Sequence, residues 1–146
     1  LQFLSSAGRF LEEDGKSSAL CLLPECPPEF LSFFAGIPSL KSLGMSPYYI
    51  HHQKPISWFE GQVKNLLRIP RENPKISLHI WIQAFRIPAG REKEIEEAVD
   101  VCASLGVETV LFWGFRACDF VSYLRSDNPQ KVWDTLLQTI HKYKFP

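Results

Sequence analysis

Glu25, Tyr48, Tyr49, Gln83, Trp113, Arg116 and Asp119 each follow closely on a short apolar run. The runs cover residues 19–23, 40–45, 76–82 and 109–112, and each gives way to a polar and aromatic cluster and then to a helix-like stretch. Strands that run parallel must be joined by crossovers, which put every C-terminal strand end on one side of the sheet. A carboxylate, phenols, an amide, an indole and a guanidinium would then converge on one rim, as in the sites of (β/α) barrels.

The chemistry differs from residue to residue. Glu25 stands between Pro24 and Cys26 directly after an apolar run, where partial desolvation would ready a carboxyl as a general acid. The alternative is a solvated loop glutamate that bonds neighbouring backbone N–H groups. Tyr48, Tyr49 and Trp113 offer flat faces for the C–H faces of sugar rings and donors for hydroxyls, or else they fill core. Gln83 shares the strand face of His79 and Trp81, because side chains alternate along a strand. A polar residue at the open end of such a column contacts a ligand or satisfies loop backbone. Arg116 and Asp119 either pair as a clamp or hold substrate.

Metal chemistry is not expected. His51 and His52 are adjacent, so on an extended segment they point opposite ways, and no third ligand is spaced for zinc. No GxSxG, HExxH, Walker or GxGxxG pattern occurs. Pro88-Ala89-Gly90 precedes a helix and offers only a weak phosphate signal. No cofactor is therefore expected.

The elements that must position these groups are legible. Phe3, Leu4, Ala7, Phe10 and Leu11 recur at helical spacing until Asp14-Gly15. Residues 18–23 read as a strand buried on both faces, and Pro27-Pro28-Glu29 opens a short helix carrying Phe30, Leu31, Phe33 and Phe34. Ser57 and Glu60 have capping-box spacing, which predicts a helix from Ser57 until Pro70 and Asn73-Pro74. The stripe Ile95, Ala98, Val99, Cys102 and Leu105 predicts the next helix, with acidic residues in its first half. A last strand over 107–112 leads to a helix opened by Asn128-Pro129, with Val132, Leu136, Leu137 and Ile140 as its buried face.

The 146 residues suffice for one domain, 1–146, with a sizeable core. Sixteen basic residues balance sixteen acidic ones, so neither nucleic acid nor an anionic membrane is an expected partner. No apolar run approaches the roughly 20 residues of a membrane span. Cys21, Cys26, Cys102 and Cys118 lack CxxC spacing, which favours reduced thiols and a cytoplasmic setting. The chain opens inside a helical pattern, as an element cut from something longer would.

Gly44 to Tyr49, Trp81 to Glu92 and Phe112 to Arg116 resemble the C-terminal half of glycoside-hydrolase-like TIM barrels. The resemblance spans units five to eight and nearly the whole chain. It implies an α/β fold of four parallel βα units, half of a (β/α)8 barrel, preceded by a helix of the missing half. A complete barrel typically takes about 250 residues. The implied function is carbohydrate binding, with glycoside hydrolysis if two carboxylates are available, for which Glu25 and Asp119 are the candidates. Tyr48, Tyr49, Gln83, Trp113 and Arg116 would line the pocket. The alternative is a non-catalytic sugar-binding or assembly protein on the same scaffold. An aldolase or phosphosugar isomerase would want a strand-end lysine or a glycine-rich phosphate loop, and neither appears.

Two departures bear on mechanism. Related barrels often read Asp-Pro-Tyr where this chain has Ser46-Pro47-Tyr48, and many retaining glycosidases carry a glutamate where it has Gln83. Half a barrel would leave inward side chains and two strand edges uncovered, so a homodimer or an N-terminal half-barrel is the expected partner.

Overall fold

A computed structural model describes residues 2–69 and 75–143. The elements run α1 (Gln2–Glu13), β1 (Ser18–Leu22), α2 (Pro28–Ala35), β2 (Leu40–Met45), α3 (Ile56–Leu66), β3 (Ser77–Gln83), α4 (Glu94–Ser104), β4 (Thr109–Trp113), a 3-10 turn (Phe115–Cys118) and α5 (Pro129–Tyr143). The strands form one sheet in the order β1-β2-β3-β4, and every neighbouring pair is parallel. The fold is thus α/β, with a helix after each strand. Among the described residues no helix is long and apolar enough to cross a membrane.

Strand periodicity decides which face is covered. Leu43, Met45, Leu78, Ile80 and Ile82 are buried in one cluster with Leu31, Phe59, Val63, Ile95, Val99 and Val132 from the helices. The alternate positions Ala19, Cys21, Thr109 and Trp113 are exposed, and Ser42, Trp81 and Leu111 are half-buried. All the helices therefore pack on one face. The expectation that β1 is buried on both faces is corrected: its alternating burial reflects a sheet whose second face carries no layer among the described residues.

Gly44 and His79 pair across β2 and β3 on that uncovered face. The imidazole lies directly over the glycine, where a Cβ would otherwise stand, and its Nδ1 is 2.8 Å from Ser42 Oγ. His79 is thereby only 6% exposed although no helix covers it.

The helices follow their patterns, with local corrections. In α4, Ile95, Ala98, Val99 and Cys102 are fully buried, and Leu105 packs against the core. In α5, Asn128 Oδ1 accepts the Lys131 N–H at 3.2 Å as a cap, Val132 and Leu136 are buried, and Leu137 stays 39% exposed. The capping box at Ser57 does not form. α3 starts one residue earlier, with Pro55 as its N-cap and no side-chain cap, and Glu60 instead pairs with Lys64 one turn on. Pro70, Asn73 and Pro74 lie outside the described residues. In α1 and α2, Phe3, Phe10 and Phe30 face solvent while Leu4, Ala7 and Leu31 face the core.

Candidate functional site

Cys21 on β1, Ser46 and Tyr48 just past β2, Trp81 on β3 and Trp113 at the end of β4 line a cleft of about 510 Å3. It lies across the C-terminal ends of all four strands, on the uncovered face. Tyr48 meets Phe85 edge-on at 5.2 Å between ring centroids, and Phe85 meets Trp113 at 5.9 Å. This aromatic chain holds the two rims together. The Ser46 hydroxyl donates to the Leu22 carbonyl at 3.4 Å. Burial pushes the Cys21 thiol up, with Ser46 offsetting it in part, and burial followed by the charge of Cys21 pushes the Tyr48 phenol well up. Both are neutral near pH 7, so the cleft offers hydroxyl and thiol donors and no thiolate nucleophile.

Trp81 sets the character of this cleft. Its Nε1 is buried and has no hydrogen-bond partner, the one such side-chain atom among the described residues. Leaving a buried donor unpaired costs about 1–3 kcal/mol. Trp81 thus gives the cleft part of its ring, while its N–H is closed off from the surface.

The expected site residues divide into three groups. Tyr48 and Trp113 line the cleft, the latter 45% exposed. Tyr49 and Gln83 are structural. The Tyr49 hydroxyl donates to the Glu94 carbonyl at 2.9 Å while the ring packs on Phe59. Gln83, only 2% exposed, accepts the His51 N–H at 2.9 Å and donates to the Phe85 carbonyl at 2.7 Å. Its amide ties two loops together, the loop-satisfying role given above as the alternative.

Glu25, Arg116 and Asp119 lie outside the cleft lining. Glu25 has φ 62°. Its N–H donates to Gln62 Oε1 at 2.8 Å, and its Oε1 accepts from Trp58 Nε1 at 3.1 Å. The expected desolvation is absent, because this left-handed turn carries the carboxylate outward along α3, where it is exposed. Asp119 pairs with Arg125 at 3.1 Å and not with Arg116. Arg116 and Asp119 both line a second cleft of about 460 Å3 beside the start of α5.

Other sequence signals resolve locally. The His51 and His52 rings meet at 5.1 Å, and among the described residues no three His, Cys, Asp or Glu side chains are grouped to hold a metal. The Ala89 N–H ahead of α4 donates to Asp127 at 3.0 Å, so a protein carboxylate occupies the place considered for phosphate. The four cysteines are free thiols.

Cys21, Ser46 and Trp81 are cleft residues outside the expected set. The parity that put His79, Trp81 and Gln83 on one face already contained Trp81. Applied to β1, the same parity puts Cys21 beside Gly44 and His79.

The inward histidine yields a pH prediction. Burial holds the His79 imidazole below the ordinary histidine range, so on acidification the unfolded chain takes up the proton first. Stability should be full above about pH 6.5 and fall as pH drops from there through the folded pKa. His51, depressed by burial and then by His52 and Arg86, acts in the same direction. The check is urea unfolding across this range: His79→Gln should flatten the slope, and a slope identical to wild type would remove His79 as its source.

Comparison with protein-family models, curated proteins and solved structures gives no match.

Proposed function

We propose that this chain binds a carbohydrate in the strand-end cleft, as four βα units of a glycoside-hydrolase-like barrel. The observation that carries the reading is the aromatic wall that Trp81, Trp113 and Tyr48 together give the cleft. Indole and phenol faces suit the C–H faces of a pyranose, and the Ser46 and Tyr48 hydroxyls of the same lining can bond its hydroxyls. The barrel reading draws support from the parallel order, the helices on a single face, and the edges of β1 and β4, each paired on one side alone among the described residues. A further half-barrel, from a second copy or from a longer chain, would cover the open face. The free thiols fit a reducing, cytoplasmic location.

Binding is favoured over hydrolysis within these residues. Glycosidic cleavage ordinarily takes two carboxylates about 5–10 Å apart across the bond, and among the described residues no acidic side chain lines the cleft. Glu25 is turned toward Trp58 and Asp119 toward Arg125. The hydrolase reading would need carboxylates reaching over the uncovered face from further strands.

Tryptophan fluorescence titrated with cello-, xylo-, manno- and chito-oligosaccharides tests this. At least one series should give a saturable change. Trp81→Phe should bind it about tenfold or more weakly, through loss of indole contact with the sugar ring. Glu25→Gln should bind unchanged. A turnover that Glu25→Gln abolishes while binding persists would establish the hydrolase reading instead. No response to any series would overturn sugar binding.

A further inference from the structure

The second cleft has the side-chain chemistry of a polyol site and stands next to the first. Its lining combines Arg116, Asp119, Asp127, Asn128 and Gln130 with the indole of Trp133. Planar groups with paired donors or acceptors match vicinal hydroxyls, and an indole face suits a sugar ring. Several of these groups are held in place while keeping capacity for a ligand. Asp119 is fixed by Arg125, Asp127 accepts one backbone N–H through Oδ2, Asn128 uses its carbonyl oxygen to cap α5, and Gln130 donates to Asp134. The Arg116 guanidinium has no partner among the described residues. With two arginines against two aspartates the cleft is neutral, which selects against a simple anion and for a hydroxylated ligand.

The two clefts are joined by one short turn. Trp113 lines the first and Arg116 the second, three residues on, so their Cα atoms are at most about 10 Å apart. The backbone between them is fixed: Gly114, at φ 128°, lies hard against Ala84. The Trp113 carbonyl accepts the Ala84 N–H at 2.8 Å.

Resting on the sugar reading above, we propose that the Arg116–Gln130 cleft is a second subsite for the same saccharide, and that the ligand is an oligosaccharide running from Trp113 across the turn to Trp133. Affinity then depends on chain length.

The test is titration of whichever of the four series binds, from its shortest binding member to the hexaose, with wild type, Gln130→Ala and Arg116→Ala. Both substitutions fall at exposed positions. Wild type should gain affinity with length. Each variant should lose about tenfold for the hexaose, the equivalent of one hydrogen bond, and nothing for the shortest member. Length-independent affinity in wild type would overturn the second subsite and leave the first standing. So would equal weakening of short and long members in the variants. Silence from every series would remove the sugar reading and this extension with it.

Discussion

Gly114→Ala is expected to lower stability by about 3–5 kcal/mol and to misplace Trp113 and Arg116 together. The residue has φ 128°, a conformation essentially closed to side chains with a Cβ and costing about 1–3 kcal/mol where it is forced. An alanine methyl would also stand on the carbonyl of Ala84, 2.6 Å from its carbon and 3.1 Å from the Phe85 nitrogen. Backbone cannot move aside as a flexible side chain can, and overpacking adds about 1–3 kcal/mol. At about 3 °C per kcal/mol for a chain of this size, the thermal midpoint should fall by about 10–15 °C. Sugar titration on the folded fraction should be weakened for short and long members alike, because the turn sets the Trp113 wall as well as Arg116. A midpoint shift below about 3 °C would mean that the turn relaxes freely and does not lock the two clefts.

Gly44→Ala should cost about 2–4 kcal/mol, for a different reason. Gly44 is ordinary strand, and the obstacle is the His79 imidazole lying over it. A methyl group must push that ring off the sheet, break its 2.8 Å bond to Ser42 and disturb the Trp81 ring, which it meets at 6.3 Å. The overpacking term and one lost hydrogen bond together give the estimate. The collision is between two named side chains, so the double-mutant cycle decides the matter. In a His79→Ala background the glycine substitution should be nearly neutral. Strictly additive costs would show that the imidazole does not lie over Gly44.

The fold was legible because periodicity reports it directly. Four apolar runs separated by helical stripes require crossovers, and the parallel order follows. The α4 stripe is buried as read, since apolar residues at Ile95, Ala98, Val99 and Cys102 have one face in common. Parity identifies a strand's two faces and does not say whether a second layer exists, which is why β1 reads as buried on both sides although Ala19 and Cys21 are exposed. Of the residues read as lining a pocket, Tyr48 and Trp113 do line the strand-end cleft, because parallel strand ends converge. Tyr49 and Gln83 have the same residue types in the same places, yet their partners Glu94 and His51 lie 45 and 32 residues away. No local pattern carries such pairings. For Glu25, which takes the solvated loop alternative, and for Ser57 the reason is smaller. A left-handed residue turned the carboxylate outward, and a helix begun one residue early moved the serine past the capping position.

The aromatic wall that includes Trp81 has a practical consequence. It exists only in the folded chain, so whatever occupies it stabilises that state by mass action. A compound present at a hundredfold excess over its dissociation constant adds about 2.7 kcal/mol, raising the melting midpoint by about 8 °C. Unlabelled libraries can therefore be sorted by heat alone, with Trp81→Phe as the reference that tells occupants of this wall from compounds that bind elsewhere.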